Sequence, residues 1–201
     1  MSYYSRWKNI GANNNGKGKN SYRSLNQQFL GKIEHETIDK LKDYHFENIA
    51  AITVDSSTFV HACERNRRDV VEWIMELGNI DIHYCNDTAF KRACYYGQES
   101  ILLLLIGLQK KHGPFKCDHE LFTLVCTRNY GSIAKILLDN FDIDYKRGKD
   151  KLFKKACQRQ RMSIVKMFCD HEPTYDHIVL PDGKVKYTIK RDRSKEIDIE
   201  I

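Results

Sequence analysis

Apolar residues recur along the middle of the chain in a fixed frame. The segments STFVHAC, DTAFKRAC, HELFTLVC and DKLFKKAC each carry a phenylalanine: Phe59, Phe90, Phe122 and Phe153. A small residue follows three positions later (Ala62, Ala93, Val125, Ala156), then a cysteine (Cys63, Cys94, Cys126, Cys157). The phenylalanines stand 31, 32 and 31 residues apart. Positions i, i+3 and i+4 share one face of a helix, so each segment predicts a short amphipathic helix. Eleven residues after each Phe comes a second apolar cluster: Val70-Val71, Ile101-Leu102, Ile133-Ala134, Ile164-Val165. These open the predicted second helices VVEWIMEL, SILLLLIGLQ, SIAKILLDN and SIVKMFCDH, three of them with a serine (Ser100, Ser132, Ser163) before the isoleucine. Asn66, Gly97 and Asn129, which tolerate left-handed backbone, fall between the helices of a pair. Ser57, Thr58, Asp87, Asp118 and Asp150 lie upstream of the first helices as candidate N-caps. A helix pair with one apolar side cannot bury it alone, so the pattern predicts stacked units.

The flanks differ. Residues 24–55 place Leu25, Phe29 and Ile33, then Ile38, Leu41 and Tyr44, at helical spacing. Phe29 precedes Phe59 by 30 residues, so a helical cap or degenerate first unit is expected over 23–55. Residues 1–22, with Asn13-Asn14-Asn15 and little to bury, read as a flexible arm. At the other end, Tyr175, Ile178 and Leu180, then Val185, Tyr187 and Ile189, alternate with polar residues around Pro181-Asp182-Gly183. This predicts a short β-hairpin that caps the array or offers a pairing edge, followed by a densely charged, fraying end within 173–201. The repeats themselves occupy 56–172.

The repeated unit resembles the ankyrin repeat. Ser57-Thr58-Phe59-Val60, Thr88-Ala89-Phe90-Lys91, Glu120-Leu121-Phe122-Thr123 and Lys151-Leu152-Phe153-Lys154 stand where that family has Thr-Pro-Leu-His, with Phe in place of Leu and without the Pro and His. Ala62, Ala93 and Ala156 match its small residue, Gly97 its turn glycine, and Asp81-Ile82-His83 and Asp142-Ile143-Asp144 its aspartate-rich segment. Four copies in phase carry the resemblance over about 115 residues. The Phe-x-x-Ala-Cys style, in a chain rich in Asn, Lys, Tyr and Ile, resembles the divergent ankyrin proteins of large amoeba-infecting DNA viruses. The resemblance implies an all-α solenoid of stacked helix pairs with a short C-terminal hairpin, acting as a protein-binding scaffold or adaptor. For a viral protein the expected location is the host cytoplasm or nucleus.

Composition narrows this reading. A formal charge of +6 over 201 residues is far from the density of a dedicated nucleic-acid binder. Seven cysteines, four of them at one phase of the repeat, read as small buried side chains kept reduced inside a cell. The first twenty residues lack the apolar core of a secretory signal. The longest apolar run, Ile101–Leu108, is far short of the roughly 20 residues that span a bilayer and is expected to be a core helix.

Chemistry is sparse. Gly11–Gly18 imitates a phosphate loop but has Gly18 where Ser or Thr would be needed, and no strand precedes it. Cys117 with His119, and Cys169 with His171 and His177, lack zinc-site spacing. No enzyme, cofactor or metal is expected. The exposed positions of the first helices are the informative surface. Relative to each Phe they read Val60, His61, Glu64, Arg65; Lys91, Arg92, Tyr95, Tyr96; Thr123, Leu124, Thr127, Arg128; and Lys154, Lys155, Gln158, Arg159. Seven of the sixteen are Lys or Arg and one is acidic, with a tyrosine pair near the centre. The expected site is Lys91, Arg92, Tyr95, Tyr96, Arg128, Lys154, Lys155 and Arg159, facing a protein partner with an acidic surface. Nonspecific nucleic-acid association through the basic stripe is the less favoured alternative.

Overall fold

The computed structural model describes residues 20–78 and 80–190. Most of the expected N-terminal arm, its phosphate-loop imitation and the charged end from residue 191 lie outside the described residues. The chain divides into two compact units, residues 1–54 and 55–201.

In the first unit, α1 (Asn20–His35) and α2 (Ile38–Glu47) pack on each other. Phe29, Ile33, Leu41 and Ile52 are buried, which matches the apolar spacing that predicted two helices. The Phe29 and Tyr44 rings stack at 6.4 Å, and Asn26 Oδ1 accepts a hydrogen bond from the Thr53 amide at 2.9 Å.

The second unit is an ankyrin-like repeat solenoid. Its first helices are α3 (Ser56–Glu64), α5 (Tyr84–Tyr96), α7 (His119–Thr127) and α9 (Arg147–Gln158). Its second helices are α4 (Arg68–Leu77), α6 (Glu99–His112), α8 (Gly131–Asn140) and α10 (Met162–His171). First helices pack side by side in chain order, and each pair closes on itself. Phe59, Phe90, Phe122 and Phe153 are fully buried, and the small residues and cysteines on the same face are buried. Removing such rings and methyls from water is the main driving force for stacking. Burial pushes the thiols of Cys63, Cys94, Cys126 and Cys157 upward, the last two to about 12 and about 11. All seven cysteines are free.

Each helix pair turns through left-handed backbone at one phase: Asn66 (φ 56°), Gly97 (φ 76°), Asn129 (φ 65°) and Gln160 (φ 54°). Gly97 is constrained twice, because a Cβ there would also lie 3.0 Å from the Tyr130 ring of the next unit. The serines of the second helices tie these turns together. Ser100 Oγ donates to Asn66 Oδ1 at 2.9 Å, and Ser163 Oγ donates to the Asn129 carbonyl at 2.8 Å.

Four expected caps need correction. Ser57 and Thr58 are not caps but the recipients of one. Asp55, two residues before Ser57 and three before Thr58, is extended (φ −133°) and accepts from both of their amides. Asp87 and Asp150 are left-handed (φ 61° and 62°), so their carboxylates turn away from their own helix ends. Only Asp118 caps as expected, accepting from the Leu121 amide at 2.8 Å. The Ile101–Leu108 run is helical within α6, with Ile101, Leu102 and Leu105 buried but Leu103 half exposed. No helix among the described residues is long and apolar enough to cross a membrane.

The chain closes with β1 (Tyr175–Val179) and β2 (Val185–Ile189), an antiparallel hairpin in the register Tyr175↔Ile189, His177↔Tyr187 and Val179↔Val185. It packs on α9 and α10. Tyr175 is buried and stacks on Phe153 at 4.2 Å, with Tyr187 edge-on at 5.7 Å.

Candidate binding face

The candidate face is built on the sides of α3, α5, α7 and α9 that turn away from the second helices. On α5, Tyr95 and Tyr96 follow the buried Ala93-Cys94 pair and meet edge to face at 4.8 Å. Tyr96 is 49% exposed. Tyr95 is half buried, because the Arg128 guanidinium from the next unit lies over its ring at 3.7 Å. That is close cation–π geometry, which holds the ring and the cation in a fixed mutual orientation. The structure therefore joins Tyr95, Tyr96 and Arg128 into one cluster across α5 and α7.

The remaining cations are distributed unevenly. Arg92 forms an ion pair with Glu64 of the preceding unit, so the one acidic residue on the face offsets a cation the sequence reading counted as available. Lys91 is half buried, and its Nζ donates to the Asn86 carbonyl at 2.6 Å. Lys154 and Lys155 are half buried on α9, and Arg159 is exposed at its end. Val60 does not belong on the face. It is 8% exposed, since one step past Phe59 on this short first helix still points inward. Leu124 and Thr123 are half buried, while Arg65, Thr127 and Gln158 are exposed.

Sequence reasoning missed a second set of contacts at the opposite end of the first helices. His83 Nδ1 lies 2.7 Å from Asp87 Oδ1, and its Nε2 lies 3.1 Å from the His112 carbonyl. Asp87 Oδ2 accepts from the Lys116 amide at 3.0 Å. Both ring nitrogens face acceptors, an arrangement that the imidazolium satisfies with two N–H donors. Burial lowers the His83 pKa, but the bonds to Asp87 and the His112 carbonyl outweigh it and raise the value above the ordinary histidine range. Phe115 is buried between them, 4.8 Å from the His83 ring and stacked on Phe90 at 4.9 Å. Further on, Glu172 accepts from Tyr145 and Thr174 and pairs with Lys146. The Lys146 partner, opposed by burial, holds the Glu172 carboxyl at about 2. Ile82, Phe115, Ile143 and Tyr175 are the buried residues of successive connections. Loops of unequal length conceal their equivalence, for they follow their Phe by 23, 25, 21 and 22 residues.

Cys169 Sγ lies 3.4 Å from His177 Nδ1, but burial and then Asp176 and Asp170 raise its pKa, the reverse of an activated thiol. Among the described residues no three metal-ligating side chains cluster.

Residues 59–106, within the first two repeats, match the family model described as ankyrin repeats (many copies). No curated protein matches the chain. Ankyrin repeats are generally scaffolds for protein–protein interaction.

Proposed function

We propose that this protein is a non-enzymatic scaffold or adaptor that holds a protein partner on the exposed face of its first helices. The observation that carries this reading is the cluster of Tyr95, Tyr96 and Arg128, an aromatic and arginine centre rigidly set across two units. Such residues dominate binding energy at protein interfaces, because they bury much area with little loss of conformational freedom. Lys91, Arg92, Lys154, Lys155 and Arg159 form the rim. The partner's acidic part faces Lys154, Lys155 and Arg159 on α9, and its apolar part faces the exposed Tyr96. The rim steers association and the tyrosines supply more of the affinity. The site of action is intracellular, in the host cytoplasm or nucleus if the resemblance to viral ankyrin proteins reflects origin.

The test compares two variants for binding a protein captured by the parent. Tyr95→Ala/Tyr96→Ala weakens binding by more than about tenfold, the loss expected of a hot spot. Lys154→Glu/Lys155→Glu mainly slows association, with an effect that shrinks as salt rises. Folded variants that both bind like the parent would place the site elsewhere. A duplex oligonucleotide bound with a steep salt dependence would favour the nucleic-acid alternative.

A further inference from the structure

The outer positions of the second helices differ in one unit. Directly after the buried pair that opens each helix stands Glu72 on α4, Leu103 on α6, Lys135 on α8 and Lys166 on α10. One turn further stand Glu76, Gly107, Asp139 and Asp170. All eight positions are exposed. Three of the helices thus carry a charge at both places, the ordinary polar face of a surface helix. α6 has a leucine, 49% exposed, and a glycine instead. Half-buried Leu104, Ile106 and Leu108 widen its apolar surface.

Nothing within the unit calls for Gly107. Its backbone is ordinary helix, and a Cβ there would meet no atom within 4 Å. A glycine inside a helix is destabilising relative to alanine. What it permits is close approach by a side chain from outside.

The charges at the two ends of α6 specify the occupant. Glu99 lies in the first turn, and Lys110 and Lys111 lie in the last, all three exposed. Glu99, Leu103, Gly107 and Lys110 run along one side of the helix, since neighbours three or four apart share a side. A two-fold axis crossing α6 at Leu105 sets a second α6 antiparallel to the first. Leu103 then enters the gap over Gly107 of the second copy, and Glu99 comes beside Lys110 and Lys111 of the second copy. Each contact occurs twice, as an isologous interface requires. Parallel pairing would instead set Glu99 on Glu99 and leave the gap at Gly107 empty. The same axis runs on across α8, which packs beside α6, and sets Lys135 opposite Asp139. Toward α4 it would set Glu72 opposite Glu76, so the contact extends to the α8 side alone.

We propose that the outer side of α6 is a self-association face, on which two copies of this chain pair antiparallel through Leu103 and Gly107. The interface is small, so the dimer is a transient one. It uses second helices and is independent of the first-helix face proposed above.

The experiment is sedimentation equilibrium of the full chain. The parent should pass from monomer to dimer with a midpoint on the order of 100 µM. Leu103→Lys, which installs the residue type of α8 and α10, should weaken the dimer at least about tenfold and leave the helical signal and the denaturant midpoint of dilute protein unchanged. Gly107→Gln should weaken the dimer yet raise that midpoint, opposite directions that a purely internal role would not give. Glu99→Lys and Lys110→Glu/Lys111→Glu should each associate about threefold or more weakly at low salt. An equimolar mixture of these two variants should associate as the parent does, because opposite charges then meet across the axis. A parent that stays monomeric to about 1 mM overturns the proposal, whatever else its α6 binds. So does a dimer indifferent to Leu103→Lys, which would place the interface elsewhere. A mixture no stronger than its components overturns the antiparallel pairing and the proposal with it.

Discussion

The four first helices begin in two different ways. Ahead of α3 and α7, an aspartate four residues before the phenylalanine is extended and caps its own helix, Asp55 on Ser57 and Thr58, Asp118 on Leu121. Near the starts of α5 and α9 but inside them, the aspartate stands three residues before the phenylalanine, takes left-handed backbone, and reaches the following connection. Asp87 accepts from the Lys116 amide, and Asp150 accepts from the Tyr175 hydroxyl. In both cases the anchored segment carries the ring that stacks on the same unit's phenylalanine, Phe115 on Phe90 and Tyr175 on Phe153. One residue of offset converts a local cap into a tie between units. At the end of the array the tie is reused, with a hairpin in place of a further connection.

The left-handed start is costly. Cys85, Asn86 and Asp87 all have positive φ (52°, 60° and 61°), and such a conformation costs non-glycine residues roughly 1–2 kcal/mol each. Thr88 Oγ1 donating to the Cys85 carbonyl at 2.7 Å, Lys91 donating to the Asn86 carbonyl and the two bonds to Asp87 offset it.

The largest effect that would break the comparison concerns the rings. Phe90→Ala removes a buried ring that touches Phe115 and Phe141 and should cost about 3–5 kcal/mol, read as a lower denaturant midpoint. A loss below about 1 kcal/mol would mean that the ring stack does not hold the connection. Next come the two aspartates. Asp87→Ala leaves His83 Nδ1 and the Lys116 amide without an acceptor at a site where Asp87 is 5% exposed, and should cost about 2–3 kcal/mol. Asp118→Ala removes one cap and should cost about 1 kcal/mol. Equal losses would erase the distinction between cap and tie. Tyr175→Phe keeps the stack on Phe153 but deletes the bond to Asp150, and should cost about 1 kcal/mol, separating ring from hydroxyl at the last junction.

The smallest effect is a pH dependence. His83 is raised in the folded state, so its contribution is complete below the ordinary histidine value near 6.5 and fades as pH rises through the higher folded value. Denaturant midpoints of the parent should therefore decline over that window relative to His83→Gln. Parallel profiles would show that the imidazolium is not what holds Asp87. No such decline is expected at the α9 junction, where Tyr175 donates instead of histidine.

The repeat was legible in the sequence because its signal is local. Phe59, Ala62 and Cys63, with their three echoes, sit on one helix face whatever surrounds them, and the hairpin announced itself by alternation around Pro181-Asp182-Gly183. The exposure of the candidate face was legible in part. Tyr96, Arg128 and Arg159 are exposed where helical phase puts them, but Val60 is buried, Arg92 is paired with Glu64, and Arg128 lies over Tyr95. Phase tells which way a side chain leaves its own helix and nothing of what the next unit brings against it.

By itself the sequence determined the unit, its length, the helix pair within it and the residues that fill its core, because helical periodicity and burial of apolar faces act over a few neighbouring residues. The tertiary structure alone decided which aspartates cap and which tie, which connection residues stack on the phenylalanines, and that Arg92 meets Glu64 and Arg128 meets Tyr95 across units. Those outcomes depend on partners 25–35 residues away across the stack, brought close only when the units pack.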